Sequence, residues 1–260
     1  MYKSKTILVG TALKYKGNWD QIYDSIRKHE RIEDEYLEEA TKITSNVVTL
    51  LDSDYPEQLR GVFKPPFVLF YYGDLSLLSD CSNCISMVGS RDYSEYGGKM
   101  TRIIAEGLAK QGYTIVSGMA RGIDTLAQVT AIDSGGKTIA VLGCGIDRCY
   151  PASNKDLYEL IKKDHLVISE YPGTLEPQPH FFPIRNRIIA GLSKTLVITE
   201  AEPLSGTSTT AALAINGNTD VMCVPYPAGQ QSECNRLIAA GAYLVESAED
   251  VIEQMSKSHF

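Results

Sequence analysis

Four stretches of this chain carry residue types suited to holding an anion: Gly89-Ser90-Arg91, Ser117-Gly118-Met119-Ala120-Arg121-Gly122-Ile123-Asp124, Phe181-Phe182-Pro183-Ile184-Arg185-Asn186-Arg187 and Ser205-Gly206-Thr207-Ser208-Thr209-Thr210. Arginine offers a two-pronged donor that matches a phosphate, and glycine lets backbone amides come close to a ligand. Small hydroxyl residues at the start of a helix add unpaired N–H groups and the positive end of the helix dipole. Each stretch also has a plainer reading. The glycine-arginine turns could be ordinary strand-to-helix connections, Asp124 could cap a helix or orient Arg121, and the serine-threonine run could be a well-capped helix. Arg185 and Arg187 stand two apart and so diverge if helical; one of them is expected to brace the fold by pairing with Glu170 or Glu200.

Other chemistry is poorly supported. Gly143-Cys144-Gly145 opens like a dinucleotide fingerprint, but Arg148 occupies the third glycine position and Tyr150-Pro151 prevents a helix from starting there. No cofactor is expected. Cys81 and Cys84 have a zinc-knuckle gap without a second half; Cys144 and Cys149 are too far apart to supply it, and no histidine lies near either pair. The expectation is therefore buried reduced thiols and no metal.

These stretches sit in a regular frame. Apolar runs at 85–90, 113–118, 137–143, 165–170, 195–201, 220–225 and 243–247 alternate with amphipathic segments. Met100, Ile103, Ile104, Gly107 and Leu108 share one helical face, as do Ile123, Leu126, Ala127, Thr130 and Ala131. Runs apolar on both faces, joined by long crossovers, predict a mostly parallel, doubly wound α/β sheet whose ligands bind beyond the carboxyl ends of the strands. The predicted division is a small helical N-terminal region over 1–46, an extended lead-in over 47–84 that docks on the main domain, and an α/β domain over 85–260. Pro65 and Pro66 forbid helix in the lead-in.

The chain has 260 residues, 43% of them hydrophobic, and a formal charge of −7, which excludes general electrostatic coating of nucleic acid. Charge is distributed unevenly. Residues 201–260 hold two basic and seven acidic side chains, whereas 81–200 hold 13 basic and 12 acidic, so an anion site must be a concentrated pocket in the middle of the chain. No stretch reaches the roughly 18 to 20 apolar residues of a membrane span, and the start of the chain lacks a convincing cleavage site, so a cytoplasmic protein is expected.

In this order and spacing, VGSR, SGMARGID, YPASN, SEYP, FPIRNRIIAGLS and EAEPLSGTSTTAALA resemble the DNA-processing protein A family, DprA or Smf. The likeness runs from about Val47 to Glu246. It implies a Rossmann-like protein, not an enzyme, that binds and protects single-stranded DNA during natural transformation and helps load RecA. Carried over position by position, the implied DNA site comprises Gly89, Ser90, Arg91, Gly118, Arg121, Gly122, Phe182, Arg185, Asn186 and Arg187, beside Ser205, Gly206 and Thr207. That agrees with the chemistry above, since single-strand binding combines cations that follow phosphates with an aromatic on which a base stacks. The family also forms dimers and engages RecA through the C-terminal part of the domain, for which Asn216–Asp220 and Asn235–Tyr243 are the expected segments. Departures include Val224-Pro225-Tyr226-Pro227 where many members have a VPG turn. The N-terminal helical region looks short, and too few residues follow Glu246 for a winged-helix tail. The rival reading is a phosphoribohydrolase-like enzyme or a nucleotide sensor of related fold, with Glu170 or Glu200 as the carboxylate; the PGGxGT loop of such hydrolases is absent.

Overall fold

A computed structural model describes residues 2–79 and 81–257. Nine strands form one sheet: β1 (Asn46–Thr49), β2 (Val68–Gly73), β3 (Cys84–Val88), β4 (Thr114–Ser117), β5 (Lys137–Val141), β6 (Leu166–Ser169), β7 (Thr195–Ile198), β8 (Asp220–Cys223) and β9 (Tyr243–Leu244). Their order is β1-β2-β6-β5-β4-β3-β7-β8-β9. The seven strands from β3 onward pair parallel, and they are the seven apolar runs read from the sequence. β3, β4, β6 and β7 are buried at every position, as a parallel sheet covered on both faces requires. The expected doubly wound, mostly parallel architecture is therefore present.

Helices α5 (Glu95–Lys110), α6 (Ile123–Asp133), α7 (Lys155–Asp164), α8 (Phe181–Gly191), α9 (Gly206–Asn216), α10 (Glu233–Ala239) and α11 (Ala248–Lys257) follow β3 onward. On α5, Met100, Ile104 and Leu108 face the core, but Ile103 is exposed and so does not join the buried face read from the sequence. Ser94 starts this helix by accepting from the Gly97 amide. The chain from β3 winds through α5 to β4 on one side, while that from β7 winds through α9 to β8 on the other. Between β3 and β7 the connections diverge, leaving a crevice beyond their carboxyl ends.

The N-terminal part contains α1 (Ser4–Lys14), α2 (Trp19–Arg27), α3 (Asp34–Ala40) and, after β1, the single turn α4 (Glu57–Arg60). Three of these helices, α1 to α3, lie within residues 1–46. β2 pairs antiparallel with both β1 and β6, adding two strands at that edge of the sheet. Leu8, Val9, Leu13 and Ile22 pack with Phe70, Tyr158, Ile161 and Val167 in a second apolar cluster that seats α1 and α2 against this edge. Trp19 stacks between Tyr23 and Phe67, at 5.1 and 5.2 Å, and its Nε1 donates to Pro65 O at 2.7 Å. Among the described residues no helix is long and apolar enough to cross a membrane, and no group of three or more His, Cys, Asp or Glu could hold a metal ion. Cys144, Cys223 and Cys234 are buried free thiols, and Cys149 is half-buried.

Candidate nucleic-acid interface

A cleft of about 660 Å³ opens at the divergence of β3 and β7. It collects residues from five strand ends. The loop after β3 supplies Gly89, Ser90, Arg91 and Asp92, and the start of α8 supplies Phe182, Arg185 and Asn186. The start of α9 supplies Ser205, Gly206 and Thr207, and Tyr150 enters from the loop after β5. Nine of the thirteen residues anticipated from the sequence line this space. Gly118, Arg121, Gly122 and Arg187 do not.

The loop after β3 is fixed by its neighbours: Ser90 N donates to Glu200 O at 2.9 Å, and Ser90 O accepts from Ile123 N at 3.0 Å. Gly122 makes this contact possible. Its φ is +92°, and a Cβ there would collide with the backbone of Ser90 and Arg91. Gly122 therefore packs against the anion loop from behind. Gly118 acts similarly, since a Cβ would lie 2.6 Å from the Arg185 guanidinium. At both glycines the missing Cβ makes room for protein atoms. Arg121 is exposed and pairs with Asp92 at 2.8 Å, at the rim.

Residues 181–187 are the first turns of α8, with Pro183 in the opening turn where its missing N–H costs nothing. The two arginines consequently diverge. Arg187 is 5% exposed and clamps Glu170 through two contacts of 2.6 Å, while its Nε donates to Lys64 O at 2.9 Å. It braces the N-terminal segment against the sheet and does not line the cleft, so it is the bracing arginine of the two. Glu170 is thereby occupied as well.

Arg185 is 4% exposed and lies beneath the cleft wall. Nη1 donates to Gly118 O at 2.9 Å and to Val141 O, and Nε donates to Asn186 Oδ1 at 3.0 Å. Asp124 lies close by, accepting from the Gly118 amide at 3.1 Å and from the amides of Ala120 and Gly89. Burial pushes Asp124 above the usual carboxylate range and Arg185 below its usual value; their attraction opposes both shifts, and the amides on Asp124 oppose its own. Together they tie the ends of β3, β4 and β5 to α8.

Three features remain open to a ligand. Arg91 is exposed and, among the described residues, has no carboxylate partner. Phe182 is half-buried, with the Arg91 and Arg185 guanidinium carbons each 5.9 Å from its ring centre. The third is the N-terminus of α9, which is not capped: Ser205 makes no side-chain bond to it, and the buried Ser205 and Ser208 hydroxyls have no partner. Nothing lies within 4 Å of a Cβ built on Gly206. The well-capped-helix alternative is thus excluded, and free amides face the same space as Arg91. Phe181, by contrast, stacks on Tyr171 at 4.0 Å. Sequence reasoning left Tyr150 out, although YPASN was one of its motifs.

The fold and the cleft define a class: a doubly wound α/β protein whose switch-point cleft joins a free cation, uncapped helix amides and an aromatic ring. The chain belongs to the DNA recombination-mediator protein A family, whose profile matches residues 46–256. It is 42% identical over 208 residues to DNA processing protein DprA of Streptococcus pneumoniae, covering 79% of this chain and 73% of that one. Protein Smf of Synechocystis is 39% identical over 225 residues, covering 85% of this chain, which spans 56% of that relative's length. The X-ray structure of the S. pneumoniae protein superposes with a TM-score of 0.81 at 36% identity, over 95% of this chain and 92% of that one. DNA processing protein A of Helicobacter pylori, studied for its single-stranded DNA binding mode, gives 0.74 at 29% identity, over 83% and 98%.

Proposed function

We propose that this protein binds single-stranded DNA in the cleft between β3 and β7, as a non-catalytic participant in recombination. One observation carries the reading: Arg91, the uncapped α9 terminus and the Phe182 ring share one cleft. Phosphate goes to the first two, and an unpaired base to the third. Gly89, Ser90, Asn186, Ser205, Gly206 and Thr207 complete the contact set. Gly118, Gly122 and Arg185 hold the loops in place, and Arg121 stands at the rim. Residues 85–260 form the binding domain, to which 1–46 and 47–84 are appended. The relationship to the H. pylori protein supports the choice of ligand.

The finer proposals are protection of incoming DNA in natural transformation, RecA loading, and homodimerisation through the C-terminal part of the domain. The acidic side chains of 201–260 other than Glu202, which lines the cleft, are the surface assigned to these protein partners. The hydrolase reading is disfavoured because its carboxylates are committed elsewhere. Glu170 is locked to Arg187, and Glu200 accepts from Ser94 N and Oγ and from the Tyr226 hydroxyl.

The test is a fluorescence-anisotropy titration of a labelled single-stranded oligonucleotide at two salt concentrations, with duplex and nucleoside monophosphate as competitors. Salt-sensitive binding that duplex and mononucleotide displace poorly is expected. Absence of oligonucleotide binding, or displacement by micromolar mononucleotide, overturns the proposal.

A further inference from the structure

Glu200 stands outside the cleft, yet it holds both ends of the loop that carries Arg91. It is half-buried, two residues beyond the end of β7. Its backbone oxygen accepts from Ser90 N at 2.9 Å. Its carboxylate accepts from Ser94 N at 3.0 Å and from Ser94 Oγ at 2.7 Å. Ser94 is the capping residue of α5, and its Oγ in turn accepts from Gly97 N at 3.0 Å. In a capping box the third helical residue is a glutamate or glutamine that reaches back to the capping residue's N–H. Here that position is Gly97, and a Cβ on it would overlap the Glu200 carboxylate. A glutamate 106 residues from Ser94 in sequence thus fills the place of the side chain that Gly97 lacks and makes the same bond, at the positive end of the helix dipole. The carboxylate is itself held. The Tyr226 hydroxyl reaches it at 3.0 Å and Thr199 O at 2.9 Å, and the Tyr226 ring packs edge-on against Tyr96 at 5.1 Å. Tyr226 belongs to the stretch that departs from the VPG turn.

We infer that Glu200 is a positioning residue for phosphate binding: by capping α5 from the end of β7 it sets residues 90–94, and through them Arg91. The inference rests on the single-strand reading and deepens it by naming what holds the free cation of the cleft in place. Charge alone predicts the opposite effect. A carboxylate near a phosphate site repels the strand, so one without a positioning role would weaken binding, and its removal would strengthen it. A carboxylate that places Arg91 strengthens binding, because an arginine contact has its full worth only when its geometry matches the phosphate.

The experiment measures affinity for a labelled single-stranded oligonucleotide at several salt concentrations. It compares wild type, Glu200→Ala, Glu200→Gln, Arg91→Ala and the double variant Glu200→Ala with Arg91→Ala, with thermal melts to verify folding. Glu200→Ala is expected to bind roughly 10-fold more weakly. Its salt slope should fall by about 0.7, as for Arg91→Ala. In the Arg91→Ala background the same change should add less than about a 2-fold loss, since its effect passes through Arg91. Glu200→Gln, whose amide oxygen still accepts from Ser94 N, should bind close to wild type. Unchanged or tighter binding by folded Glu200→Ala, or an equal further loss in the Arg91→Ala background, overturns the assignment. If Glu200→Ala is unstable, Ser94→Ala, which removes only the hydroxyl contact, replaces it in the same cycle, and a loss that persists without Arg91 overturns the assignment there too. If wild type does not bind the oligonucleotide, the single-strand reading itself falls; if it binds and Arg91→Ala weakens it while folded Glu200→Ala does not, only the positioning role falls.

Discussion

Arg91, Arg185 and Arg187 show how one residue type does three jobs. Arg187 neutralises a buried carboxylate, and removing it leaves Glu170 charged and unpaired; Arg187→Ala should lower stability by about 3–5 kcal/mol in urea denaturation. Arg91 neutralises nothing in the protein, so Arg91→Ala should leave the denaturation midpoint unchanged. It should instead reduce the slope of log affinity against log salt by about 0.7 for a single strand. The sequence showed that the two arginines of α8 would diverge and that Glu170 was a candidate partner, because spacing on a helix is local information. That Arg185 sits under the cleft, against Gly118 and Val141 carbonyls, was not legible. Gly118 looked like a ligand-facing glycine because nothing local indicates which side its missing Cβ faces.

The strands were legible because apolar runs of this length follow directly from burial on both faces. Caps were less so, as two serines before helices look alike in sequence and behave oppositely here. Ser94 caps α5 and also donates its hydroxyl to Glu200 at 2.7 Å, so Ser94→Ala should cost about 1 kcal/mol in thermal melts. Ser205 leaves α9 open. Among the N-terminal helices, Lys14 Nζ donates to Glu30 at 2.7 Å and Glu33 at 2.9 Å, and the Tyr15 hydroxyl donates to Glu30 at 2.6 Å. These bonds, Lys14's foremost, hold Glu30 down at about 2 and lower Glu33 as well. A carboxylate depressed on folding stabilises the native state above its unfolded value and loses that contribution as it protonates. The helical ellipticity of this region should therefore weaken as pH falls from about 4.5 toward about 2, read by far-ultraviolet circular dichroism.

At the scale of the molecule, sheet topology makes the cleft. β3 and β7 are neighbours in space but lie on either side of four crossovers in sequence, so the walls come from distant parts of the chain. No pattern in either half alone reveals that they meet. The sheet also joins the N-terminal part to the rest, and here the stack around Trp19 has a practical consequence. Trp19 is the chain's one tryptophan, so emission excited selectively at the indole comes from a single point, where α2 meets the Pro65–Phe67 segment. Its intensity and wavelength follow the undocking of the N-terminal helices, while ellipticity follows the whole sheet. Because Leu8, Val9, Leu13 and Ile22 share a core with Phe70, Tyr158 and Val167, the two denaturation curves should coincide. An earlier transition in emission would show that residues 1–46 come away as a separate unit, and would give that unit its own optical signal.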